Sequence, residues 1–203
     1  MSMKSINKAK VALAAATATL ALLASGCASS TDGLANQFKS GDNKNYVSGD
    51  GTALEIAQAD RGKAVTWSGF TDHGTVLSSA NLTGVVTVLN FWYAGCAPCR
   101  AEAKDLNALY KEFVPKGVQF VGVNVRDSAG TALAFDRAFG MSYPSIIDNN
   151  TGSVVLAFTG VVSPQAVPTT LVVDSKGRVA ARILGRMETG TLRAMIQKVV
   201  AEK

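Results

Sequence analysis

Histidine and cysteine are scarce in this 203-residue chain, one of the former and three of the latter. A structural zinc site takes four nitrogen or sulfur ligands. Cys96 and Cys99 would need two more, and apart from Cys27 near the N-terminus only His73 is on offer. Haem attachment through a Cys-x-x-Cys-His pattern is excluded because Arg100 follows the second cysteine. Long apolar runs are missing too: the charge-free stretch from Val11 to Ala24 falls short of the roughly 20 apolar residues that cross a bilayer. Charge of one sign is not concentrated on the body of the chain. Without Lys4, Lys8 and Lys10, the 20 basic residues fall to 17 against 15 acidic ones, which leaves no electrostatic footprint for nucleic acid. No internal repeat is present.

What is there begins with a targeting pattern. A basic start, a short apolar stretch and then small residues read as a signal peptide over residues 1–26. Ala24-Ser25-Gly26-Cys27 resembles the bacterial lipobox, in which the cysteine thiol is acylated and becomes the mature N-terminus, so Cys27 is the expected lipidation site. Ordinary secretion with Cys27 incidental is the plainer alternative. Either way the chain is sent where disulfides persist, and with Cys27 consumed, Cys96 and Cys99 remain as a pair with no odd thiol. Residues 27–51 are rich in Ser, Gly, Asn and Asp without apolar periodicity, and read as a lipidated flexible tether. Residues 52–203 are expected to form one domain, since 47% hydrophobic and 17% charged residues at this length fill one core.

Within that domain, Ala64 to Phe70 and Thr75 to Ser78 flank the turn-like Thr71-Asp72-His73-Gly74 and predict a hairpin, with His73 a solvated turn residue. Val85 to Trp92 is a continuous β-branched and aromatic run that suits a strand buried on both faces. Leu106, Leu109, Tyr110 and Phe113 fall at helical spacing in a helix predicted from Pro98 to Val114. A strand over Val118 to Val125, a helix from Thr131 to Phe139 closed by Gly140, and a helical stretch from Thr151 to Phe158 follow. Thr170 to Asp174 and Arg178 to Leu184 are strands joined at Ser175-Lys176-Gly177. A last helix carries Leu192, Met195, Ile196, Val199 and Val200 on one stripe. The order is βαβα, a further helix, then ββα, which implies a mixed sheet with helices on both faces.

Cys96-Ala97-Pro98-Cys99 sits where the buried strand gives way to a helix. Partial positive charge at a helix N-terminus favours the thiolate. Two intervening residues let the second thiol attack a mixed disulfide formed by the first. Cys96 is therefore the expected exposed nucleophile and Cys99 the buried resolving thiol; a plain structural disulfide is the alternative. Glu102 lies three residues beyond Cys99 on the face that continues to Leu106, Leu109 and Phe113. A carboxyl on an inward face has a raised pKa and can exchange protons with the resolving thiol; the plainer reading is a Glu complementing the helix N-terminus.

Asn90-Phe91-Trp92-Tyr93-Ala94-Gly95-Cys96-Ala97-Pro98-Cys99-Arg100-Ala101-Glu102, with Val167-Pro168-Thr169-Thr170 downstream, resembles the TlpA/ResA-like (CcsX-like) branch of the thioredoxin superfamily over roughly Trp67 to Lys203. The resemblance implies an α/β thioredoxin fold, a mixed central sheet flanked by helices with an N-terminal β-hairpin extension and an inserted helical segment. It implies a cis peptide at Pro168 beside the redox pair, with Val167 and Pro168 presenting backbone to substrate. Thioredoxins proper carry a buried Asp where this chain has Asn90, and Glu102 matches the acidic residue of the ResA-like pattern. Gly95 departs from the family, which usually has Trp there.

The function implied is that of an extracytoplasmic, membrane-anchored thiol–disulfide oxidoreductase, without cofactor or metal, that reduces disulfides of apocytochrome c during cytochrome c maturation and is re-reduced by a membrane thiol-transfer partner. A Dsb-like oxidase or isomerase for secreted proteins is the near alternative, since small differences in thiolate stabilisation set the direction. A Sco-like copper-delivery lipoprotein is remote: that pattern is CxxxC with a distal His, and no His follows His73.

Overall fold

The computed structural model describes residues 52–161 and 166–202. The signal peptide, the tether and Cys27 lie outside them. Six strands form one mixed sheet in the order β1-β8-β7-β4-β5-β6. These are β1 (Ala53–Glu55), β4 (Val86–Trp92), β5 (Val118–Asn124), β6 (Ser145–Ile147), β7 (Thr169–Val173) and β8 (Val179–Leu184). β4 runs parallel to β5, which runs parallel to β6. On its other side β4 is antiparallel to β7, and β7, β8 and β1 continue antiparallel. A separate hairpin, β2 (Ser68–Phe70) with β3 (Val76–Ser78), docks on the sheet edge through a bridge between Thr71 and Ile146.

Among the described residues four α-helices accompany the sheet: α1 (Ala97–Phe113), α2 (Ala129–Phe139), α3 (Ser153–Ala157) and α4 (Thr189–Val200). None of them is long and apolar enough to cross a membrane. Every residue of β4 is buried, as its unbroken apolar run requires. The period of two sends Val86 and Val88 into a core with Leu106, Leu109 and Phe113 of α1 and Leu192, Met195 and Ile196 of α4. Leu89 and Phe91 enter the opposite core with Val121, Val123, Phe158 and Leu171. The same alternation aims Asn90 and Trp92 at the α1 side, and this parity builds the site.

Two strands, β1 and β6, had no counterpart in the sequence reading. Each has three residues, and each gains its strand character from a neighbour, β8 or β5. The hairpin is shorter than expected because Val65 bonds to Gly177 O instead of a β-strand partner. The segment expected to be helical over residues 151–158 forms a single short turn of helix, capped by Asp148, which accepts from Val154 N and Val155 N.

Candidate active site

The polypeptide leaves β4 at Trp92, turns through Tyr93-Ala94-Gly95 and enters α1 with Cys96 as its N-cap. That turn is tied down from the next crossover. The Ala94 N–H donates to Asp127 Oδ2 at 2.6 Å, and Asp127 is in turn held by Asn124 Nδ2 at 2.8 Å. Cys96 and Cys99 are joined by a disulfide. Cys96 Sγ accepts the Cys99 N–H at 3.2 Å, so an N–H of the helix's first turn points at the sulfur that would carry charge on reduction. The same sulfur faces the Val167 carbonyl at 4.0 Å. The Val167–Pro168 peptide is cis, and it leads directly into β7.

Exposure does not separate the two thiols as the sequence reading expected. Cys96 is 4% exposed and Cys99 3%. Cys96 belongs to a small core cluster against which Tyr93, Ala94 and Val167 pack, and its position distinguishes it rather than its surface. Cys99 instead borders a small, partly open cavity with Asn90, Trp92, Asp136, Tyr143 and Ser145, about the size of one water molecule. Gly122 makes this packing possible: a side chain there would strike Ser145 Oγ and Trp92 Nε1, which are hydrogen-bonded to each other at 3.2 Å.

Glu102 is fully buried one turn after Cys99. Its Oε1 accepts from Asn90 Nδ2 at 3.0 Å and its Oε2 from Met187 N at 2.9 Å, while Asn90 also donates to Thr170 Oγ1 at 3.1 Å. Burial pushes the carboxyl up to about 7, against the lowering pull of those two donors and of Arg186. A Glu that merely complemented a helix end would be solvated, and this one is not. The Asn90 amide thus sits beside the acid, at the position where thioredoxins proper carry a buried Asp, and its contact with Glu102 is not visible in the sequence.

Gly95 is exposed, and a Cβ there would meet only the Tyr93 ring, at an ordinary 3.5 Å. Tyr93 itself lies under the Arg126 guanidinium at 4.2 Å, so an aromatic–cation pair borders the open position. Asp136, which no sequence motif singles out, and Asp72, from the turn of the hairpin, approach each other beside the cavity. Asp136 borders it directly and stands within hydrogen-bonding reach of the Asp72 carboxyl. Among the described residues no cluster of three or more potential metal ligands occurs.

A redox dithiol at a helix start, a cis-proline loop against it and this sheet order define a thioredoxin-fold thiol–disulfide oxidoreductase. The chain belongs to the AhpC/TSA family, whose model matches residues 61–182. It is 27% identical over 126 residues to the thiol-disulfide oxidoreductase ResA of Bacillus cereus, spanning 62% of this chain and 70% of that one. The ResA of Bacillus subtilis is 32% identical over 115 residues, 57% of this chain and 62% of its own. Among solved structures it is similar to a secreted thiol-disulfide isomerase of Corynebacterium glutamicum, with 30% identity and a TM-score of 0.69 across 78% of this chain and 98% of that one. A DsbF homologue of Corynebacterium diphtheriae gives 30% identity and a TM-score of 0.67 across 75% and 96%.

Proposed function

We propose that this protein is an extracytoplasmic, lipid-anchored reductant of protein disulfides, with apocytochrome c as its substrate and a membrane thiol-transfer protein as its source of electrons. The placement of Cys96 Sγ carries the reading: it accepts a helix N–H and faces the Val167 carbonyl beside Pro168, where an extended substrate can pair with backbone. In the reduced protein Cys96 attacks one sulfur of the substrate disulfide and expels the other as thiolate. Cys99 then loses its proton and attacks Cys96, the Cys96–Cys99 bond forms, and the substrate leaves carrying two electrons more. Glu102, buried one turn away, exchanges protons with Cys99. The likeness to ResA and the lipobox-like Ala24 to Cys27 support the cell-surface reductant.

A second reading, an oxidase or isomerase for secreted proteins, is favoured by the solved relatives named above and by Gly95, which leaves the approach to Cys96 open. Trapping tests the assignment of the thiols. Cys99→Ser should accumulate mixed disulfides with a peptide containing an oxidised Cys-x-x-Cys-His segment, and Cys96→Ser should accumulate none. Trapping by Cys96→Ser alone would reverse the roles.

A further inference from the structure

Proton traffic poses a problem that the two cysteines and Glu102 do not solve. Each reductive turnover removes one proton from Cys99, yet Cys99 is 3% exposed and Glu102 0%. Both oxygens of Glu102 are already taken, by Asn90 and Met187. Glu102 is not among the residues bordering the cavity under Cys99. Asp136 is, and it is only partly buried on α2. One group therefore touches both the cavity that holds Cys99 and the solvent.

Asp136 is not alone there. Asp72, from the turn between β2 and β3, is 5% exposed. Its Oδ1 accepts from Ser145 N at 3.3 Å, while its buried Oδ2 has no donor. A second carboxyl, that of Asp136, stands within reach of the Asp72 side chain. Two carboxylates cannot share such a contact without repulsion, whereas one proton held between them turns it into a hydrogen bond. Burial and Asp72 together push Asp136 up to about 7. The other groups facing it are Arg137 on its own helix, which pulls the other way, and Tyr143, whose hydroxyl is pushed well above its ordinary range by burial and by the charges of Glu102 and Asp136. Tyr143, on the chain leading into β6, is thus a neutral group that feels both acids.

We propose that the Asp72–Asp136 carboxyl pair is the proton port of Cys99. It rests on Cys99 being the resolving thiol. When Cys99 attacks the mixed disulfide, its proton, which it exchanges locally with Glu102, leaves the site through the cavity to the Asp136 side of the pair, and Asp136 passes a proton on to solvent. On re-reduction the Cys96–Cys99 bond is cleaved, Cys99 leaves as thiolate, and Asp136 takes up a proton from solvent and returns one to Cys99 through the cavity. Electrons pass only between sulfurs. Asp136 acts through the cavity and not on the substrate.

The test uses the reduced full-length protein and dithiobis(nitrobenzoate), an aromatic disulfide that releases one coloured thiolate when Cys96 attacks and a second when Cys99 resolves. Asp136→Asn should leave the first release unchanged and slow the second by about tenfold or more near neutral pH. Asp72→Asn removes the partner that holds Asp136 high, so the second-release profile should move to lower pH. Asp136→Glu should restore the rate. An Asp136→Asn variant that is folded by circular dichroism and has an unchanged second release and pH profile overturns the port, as does slowing of the first release alone. Should Asp136→Asn not fold, the Asp72→Asn profile decides, an unmoved profile overturning the proposal. In the same assay Cys99→Ser should give the first release only. Two releases from it would mean that the cysteine roles are wrong, and the port would fall with them.

Discussion

At the scale of single residues, Glu102 carries a consequence that can be measured without any substrate. Its folded carboxyl titrates at about 7, above the ordinary 4.5. The folded state therefore binds a proton that the unfolded chain has lost between those values, so the stability that Glu102 contributes is fully present below about 4.5 and is lost as pH rises through about 7. The difference corresponds to at most about 3 kcal/mol. Urea unfolding of wild type and Glu102→Gln across pH 5 to 8 should show the wild type losing stability relative to the variant by up to about that amount; parallel curves would mean that Glu102 is not held neutral. This acid was legible in the sequence, because its distance from Cys99 and from Leu106 puts it on the apolar face of a helix. Asp136 was not. It directly follows Phe135, whose inward position suggests that its neighbour points out, and only the approach of Asp72 from a distant hairpin gives it a buried partner.

Among elements, the turn from β4 into α1 depends on a carboxylate from another crossover. Asp127 holds both the Ala94 amide and Asn124. Asp127→Ala should cost about 1–3 kcal/mol, read from thermal or denaturant unfolding, because it strands a part-buried donor. It should also slow the first thiolate release while leaving the disulfide able to form. An unchanged first step would show that the turn holds its shape without this tie. β4 and α1 were readable because long runs of one period leave little choice: seven buried residues in the strand, and a stripe through Leu106, Leu109 and Phe113 in the helix. β1 and β6 were not. Ala-Leu-Glu has no strand preference of its own, and Ser-Ile-Ile is too short to show a period, so both exist as strands only because β8 and β5 offer open edges.

Across the whole molecule, the sheet order, the disulfide and the cis-proline loop agree with one chemistry, and the N-terminal pattern adds a place for it. Cys27→Ala should shift the protein from the membrane fraction to the soluble extracytoplasmic fraction, followed by immunoblot after fractionation. Unchanged membrane retention with the signal removed would count against lipidation at Cys27. The direction of electron flow is a property of the entire site, since every group that stabilises the Cys96 thiolate shifts the couple, about 30 mV for each 1.4 kcal/mol. Here the sulfur receives one helix N–H, from Cys99, and the buried acid nearby is held close to neutral. The most direct measurement is the reduction potential of the Cys96/Cys99 couple against a glutathione or dithiothreitol series. A reductant of protein disulfides should lie near thioredoxin, about −270 mV, whereas a value near DsbA, about −120 mV, would contradict the reductant and make the protein an oxidase.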